Sequence, residues 1–111
     1  MRDYNLYLED ILGAIKAIEG FVKGMEFKDF EADDKTSSAV IKKLEIIGEA
    51  AKKIPDSIKK KYPQIPCKEM AGMRDKLIHF YFGINYNLVW KTIKERLPGL
   101  IPLLKKDLRE L

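Results

Sequence analysis

Tyr4, Leu8, Ile11, Leu12, Ile15, Ile18 and Val22 recur at spacings of three and four, and this stripe constrains the fold more than any other feature of the chain. An apolar stripe of that period is one face of an amphipathic helix, here about five turns long. Such a helix must bury its stripe against a neighbouring layer. Nowhere do β-branched and polar residues alternate for long enough to make a strand, so the neighbours are helices too. The expected fold is all-α: an antiparallel up-and-down helical bundle of four main helices plus short helical turns.

Helix signals divide the rest of the chain. Asp3 is placed to cap the first helix and Gly24 to stop it. Met25 to Asp33 reads as a short helical turn that tucks Phe27 and Phe30 onto the bundle, and either Asp33 or Asp34 suits the cap of the next helix. That second long helix runs from about Lys35 to Ile54, with Val40, Ile41, Leu44, Ile47, Gly48, Ala51 and Ile54 on its apolar face, and Pro55 ends it. Gly48 and Ala51 are small enough to let another helix approach closely. Between Pro55 and Pro66 the prolines leave room for one short helix. A third helix is expected from near Pro66 through Met70, Met73, Leu77, Ile78 and Tyr81 to Gly83. Asn85 or Asn87 caps a fourth, carrying Leu88, Val89, Trp90, Ile93 and Leu97. Pro98 and Pro102 kink or restart it before Leu103, Leu104, Leu108 and Leu111.

With 111 residues, 46% hydrophobic and 34% charged, the chain reads as one domain, residues 1–111, and carries none of the one-signed charge of a disordered segment. No apolar run approaches the roughly 20 residues that span a membrane, and the start lacks a signal peptide's apolar stretch, so the expected location is the cytoplasm. One cysteine, Cys67, and one histidine, His79, exclude a Cys/His zinc site within a single chain; no metal and no cofactor are expected. The excess of 21 Lys+Arg over 17 Asp+Glu, a net charge of +4, favours an anionic partner without naming one. Much of that excess lies in Lys59-Lys60-Lys61 and Lys105-Lys106, runs that also describe solvated helix faces. The basic residues spread over several helices, which argues against a single DNA-recognition helix.

The chemistry-bearing segment is Met73-Arg74-Asp75-Lys76-Leu77-Ile78-His79-Phe80-Tyr81-Phe82. His79 is the only side chain whose unperturbed pKa lies near neutrality. On a continuous helix Asp75 and His79, four apart, share a face, so the carboxylate can orient or charge the imidazole. Arg74 and Tyr81, seven apart, share the adjacent face. Arg74 and His79 stand about 140° apart on the same wheel, so one straight helix aims both at a single small target only if the long arginine wraps round; a second copy of the helix could close the gap. The same residues equally describe a packed core: a histidine beside aromatics, and a Met70, Met73, Leu77, Tyr81 row at helical spacing.

Arg74 to Tyr81 fits the R-x4-H-x-Y pattern of the HepT-like branch of the HEPN superfamily. Arg2-Asp3-Tyr4, Leu8 to Leu12, Leu44 to Pro55 (including Ile46-Ile47-Gly48-Glu49-Ala50) and Ala71-Gly72-Met73-Arg74 resemble that family in the same order. The resemblance covers nearly the whole chain. It implies an all-α protein that dimerises, or forms a higher oligomer, with the Arg and His motifs of both subunits at the dimer cleft. It further implies a metal-independent ribonuclease toxin of a type VII toxin–antitoxin system, acting on RNA and neutralised by an MntA-like minimal nucleotidyltransferase antitoxin. Carried across, His79 is the general acid/base, Arg74 stabilises phosphate charge, and Tyr81 accepts AMP. Where many members have Asn after the Arg, this chain has Asp75. A carboxylate there supports His79 by raising its pKa and holding its tautomer, but repels an incoming phosphate.

RNA supplies its own nucleophile, the 2′-hydroxyl, so the enzyme needs a base, an acid and cationic donors for the charge that develops on phosphorus. One histidine cannot readily be acid and base in the same step, and a two-fold dimer brings a second His79. The expected product is a 2′,3′-cyclic phosphate. The alternative reading is a dimeric helical adaptor that binds nucleotide or RNA, or partners a nucleotidyltransferase, without cleaving.

Overall fold

The computed structural model describes residues 4–79 and 83–110, apart from the side chains of residues 74, 78, 79, 109 and 110. Asp3, Tyr81 and Leu111 lie outside the described residues, and with them the expected cap of the first helix.

The stripe opening the chain forms helix α1, Tyr4–Phe21, which buries Leu8, Ile11, Ala14, Ile15 and Ile18. Its stop is a turn in which Gly24 adopts φ +79°, a conformation that costs a residue with a Cβ. Helix α2, Phe27–Ala32, is one of the expected short turns, and the Asp29 carboxylate accepts the Glu26 N–H across its first turn at 2.9 Å. Phe30 is fully buried, with its ring 5.3 Å from that of Trp90 and 6.1 Å from that of Tyr86, while Phe27 meets the edge of Trp90 at 6.3 Å. These aromatic contacts fasten α2 to helix α6, Tyr86–Lys91.

Helix α3, Asp34–Lys53, is capped by Asp33 rather than Asp34. The Asp33 carboxylate accepts the Thr36 N–H at 3.1 Å and the Thr36 hydroxyl at 2.9 Å. Those bonds, the backbone one foremost, hold its pKa below the usual carboxylate range. Pro55 ends the helix as expected. Helix α4, Asp56–Lys61, fills the proline-bounded stretch, and helix α5, Cys67–Leu77, follows Pro66. At Gly48 a Cβ would stand 3.5 Å from the carbonyl oxygens of Met70 and Ala71, so α3 and α5 pack in close approach at the small residue that the sequence offered. The chain's main helices pack α1 on α3, α3 on α5, and α1 on helix α7, Leu97–Glu110, to give the all-α bundle.

Two features depart from expectation. The third helix does not run to Gly83. It ends at Leu77, and Ile78–His79 (β1) pairs antiparallel with Gly83–Ile84 (β2), Ile78 opposite Ile84 and His79 opposite Gly83. The Leu77 carbonyl accepts the Asn85 N–H at 3.0 Å instead of a helical donor. Gly83 takes φ +81°, outside the range of a right-handed helix, and the β-branched Ile78 and Ile84 suit a strand pair. The second departure lies beyond Asn85, whose side chain caps α6 by accepting the Leu88 N–H at 3.1 Å. There the helix neither stops nor begins anew at the prolines, but its regular winding is interrupted just before Pro98. A π-helical turn, Thr92–Arg96, joins α6 to α7, and its wider loop accommodates Pro98, which lacks the N–H a tighter turn would use. Pro102 sits inside α7 on the exposed side, where solvent can satisfy the carbonyl it leaves without a donor.

Candidate active site

Helix α5 positions the chemistry-bearing segment. Met70, Met73 and Leu77 are buried, so the row that could have been a stacking surface is core as far as it is described. Arg74 follows buried Met73 on this helix and precedes Asp75, which is exposed. His79 belongs to β1, beyond the helix end, with its backbone held opposite Gly83.

This corrects the helical-wheel geometry. The four-residue spacing of Asp75 and His79, and the 140° separation of Arg74 and His79, both assume a helix that continues through residue 79, and the helix stops two residues earlier. Arg74 and His79 lie on either side of a helix-to-strand junction, not on one helix face. The expected pairing of Arg74 with Tyr81 at a seven-residue spacing loses its basis in the same way, Tyr81 itself being outside the described residues.

Asp75 lines a cleft of about 190 Å³ between α3 and α5, with Glu45, Glu49 and Lys52 on its other wall and Gly48 and Ala71 between. The close approach at Gly48 therefore sets the distance between Asp75 and the acidic face of α3. Sequence reasoning missed a second anchor of α5. Arg96, in the π turn, donates from Nε and from one terminal nitrogen to the two carboxylate oxygens of Glu69, each at 2.6 Å. That fork-to-fork bond lowers the pKa of Glu69 and raises that of Arg96, the hydrogen bonding being the larger cause in both. The partners are 27 residues apart, so no local spacing announces them.

Cys67, at the start of α5, is buried. Desolvation pushes its thiol pKa up, against the opposing pull of Lys59, which leaves it protonated at neutral pH and unsuited to nucleophilic work. Among the described residues no group of three or more His, Cys, Asp or Glu could hold a metal ion, and no helix is long and apolar enough to cross a membrane.

The Ribonuclease HepT-like family model matches residues 11–106. The chain is 54% identical over 99 residues to the probable ribonuclease HepT of Thermococcus cleftensis, covering 89% of this chain and 90% of that one. It is 47% identical over 110 residues to a protein of Methanocaldococcus jannaschii named as a candidate RNase, covering 99% and 95%. A further relative named in the same way, from Caldanaerobacter subterraneus subsp. tengcongensis, is 45% identical over 110 residues, covering 99% and 98%. No solved structure matches the chain. A family match across most of the bundle, joined to relatives that align over nearly their full lengths, leads to one conclusion: the chain belongs to the HepT-like ribonuclease family.

Proposed function

We propose that this protein is the toxin of a type VII toxin–antitoxin pair, a metal-independent endoribonuclease whose active site forms at the interface of a homodimer. The observation that carries the reading is membership of a ribonuclease family by a chain that holds Arg74 and His79 on either side of the α5–β1 junction.

In the proposed reaction the 2′-hydroxyl of RNA attacks the adjacent phosphorus, the O2′–P bond forms, and the P–O5′ bond breaks. A neutral His79 takes the 2′ proton, and a protonated His79 from the second subunit gives a proton to the departing O5′. Arg74 faces the non-bridging oxygens with paired N–H donors, where charge accumulates in the transition state. Asp75, next to Arg74 in the chain, is the supporting residue of this reading. The products are a 2′,3′-cyclic phosphate and a free 5′-hydroxyl. One base and one acid of the same kind predict a bell-shaped pH profile.

Neutralisation is by an MntA-like nucleotidyltransferase. The Tyr81 hydroxyl attacks the α-phosphorus of ATP and pyrophosphate leaves, so an AMP group stands two residues from His79 and repels the RNA backbone. The test is cleavage of a labelled RNA by purified protein. His79→Ala and Arg74→Ala should each abolish it while the helical CD spectrum persists, and EDTA should leave the wild type active. Cleavage by His79→Ala, or loss on chelation restored by a divalent ion, would overturn the mechanism. Intact mass after co-expression with the nucleotidyltransferase should rise by AMP in wild type and not in Tyr81→Phe.

A further inference from the structure

A groove lies on the face of α5 that carries Lys68, Gly72 and Lys76, apart from the cleft that Asp75 lines. It encloses about 730 Å³ between α4, the proline-rich connection and α5. Lys59 stands on one side, and Lys68 and Lys76 on the other. Lys68, Gly72 and Lys76 follow one another at intervals of four, so they share one helix face, and the two lysines are about 12 Å apart along the axis. Gly72 leaves the wall between them bare: a Cβ there would meet no atom within 4 Å. Pro63 and Ile65 make part of the floor apolar, and among the described residues no aromatic side chain lines it.

Charge sets this groove apart from the two clefts that α3 lines. Its one acidic residue, Glu69, has both oxygens engaged by Arg96. Lys59 also reaches Asp56 at 3.8 Å, an exposed pair that a stronger anion displaces readily. The α3–α5 cleft, by contrast, sets Glu45, Glu49 and Asp75 against Lys52, and the α1–α3 cleft sets Asp10, Glu45 and Glu49 against Lys42 and Lys53. A polyanion is attracted to the lysine groove. Lys76, at one end of the groove, lies two residues after Arg74 and three before His79 in the chain.

We propose that the groove formed by Lys59, Lys68 and Lys76 around Gly72 is the track for the backbone of single-stranded RNA. The assignment rests on RNA being the substrate. Each lysine meets a phosphate as a point charge, and the bare backbone at Gly72 lets the sugar–phosphate chain come close. Contacts of this kind, to phosphates through lysines, position the strand by charge and not by sequence.

The experiment measures binding without cleavage. The probe is a fluorescein-labelled 2′-O-methyl RNA 20-mer, whose blocked 2′-oxygens cannot attack, followed by anisotropy over a range of salt. Lys59→Glu/Lys68→Glu/Lys76→Glu should weaken binding at least tenfold and lower the salt slope by about 2, at about 0.7 for each phosphate that is no longer neutralised. Gly72→Glu, placed in open space, should weaken it as well without loss of helical CD signal. A control of the same charge change on exposed lysines elsewhere, Lys16→Glu/Lys91→Glu/Lys105→Glu, should cost far less. Equal losses in both triple variants, or full affinity in Gly72→Glu and the groove triple, would overturn the proposal. So would a change of oligomeric state in the groove variants at unchanged probe affinity, which would assign this face to a second copy of the chain. If binding depends on the groove while the wild type cleaves no RNA, the cleavage mechanism fails and the track stands.

Discussion

Replacing Gly48 separates space from helix propensity at the crossing that holds α5 in place. A Cβ at this position stands 3.5 Å from the Met70 and Ala71 carbonyl oxygens, which is ordinary contact, so Gly48→Ala fits without displacing α5. Alanine in a helix interior is favoured over glycine by about 0.8–1.0 kcal/mol. The variant should therefore be more stable than wild type, with Tm raised by several degrees, since about 1 kcal/mol moves the midpoint of a domain near this size by about 4 °C or more. Gly48→Leu has nearly the same helix propensity but adds three further carbons toward the α5 backbone. Overpacking of that kind costs about 1–3 kcal/mol, and because propensity cancels, the gap between the Ala and Leu variants reads the steric cost directly. Relief comes from moving α5, which carries Arg74, so Gly48→Leu should also lose RNA cleavage that Gly48→Ala retains. Thermal melts by CD and a cleavage assay on the same preparations supply both readouts. A Gly48→Ala protein that melts below wild type, or a Gly48→Leu protein as stable as Gly48→Ala, would refute the close-approach reasoning.

The cap of α3 should give stability a pH dependence. The folded pKa of Asp33 lies below its unfolded value, so its contribution is present in full above the usual carboxylate range and is lost as pH falls through the folded pKa. Melts of wild type and Asp33→Ala should accordingly differ most near neutrality and converge in acid; a gap that stays constant from pH 7 to below pH 4 would contradict the charged cap. Truncating the fully buried Phe30 to Ala should cost about 3–5 kcal/mol. It should also shift the emission of Trp90, the chain's single tryptophan, as the rings that enclose it separate, and urea titration with fluorescence reads both.

Much of the bundle was legible because its causes are local. The stripe of α1 and the apolar face of α3 are periodicities within one segment, and Pro55 stops a helix by its own ring. Asp33 and Asn85 reach N–H groups only three residues away. Even the approach of a second helix could be read at Gly48, since a missing side chain leaves space whatever fills it. The candidate site residues, Arg74 and His79, were visible as residue types, and the resemblance to HepT-like proteins rested on their order.

What only the tertiary structure decided is how those residues are held. A helical pattern carries on through Ile78 and Tyr81, but the Leu77 carbonyl is taken by the N–H of Asn85, eight residues on, and Ile78 pairs with Ile84. That competition depends on a return of the chain, which periodicity within the helix does not record. The Glu69–Arg96 fork likewise needs the π turn to face α5. Asp107 is wholly buried on an otherwise apolar face of α7, where the Gln64 side-chain amide donates to it from 43 residues away at 3.3 Å. The lysine groove joins Lys59 of α4 to Lys68 and Lys76 of α5 only because the proline-rich connection brings them to one groove. Backbone propensities and caps act over a few residues and are written in the order of the chain; carbonyl competition, buried charge and groove shape depend on which distant segments meet, and the packed bundle sets that.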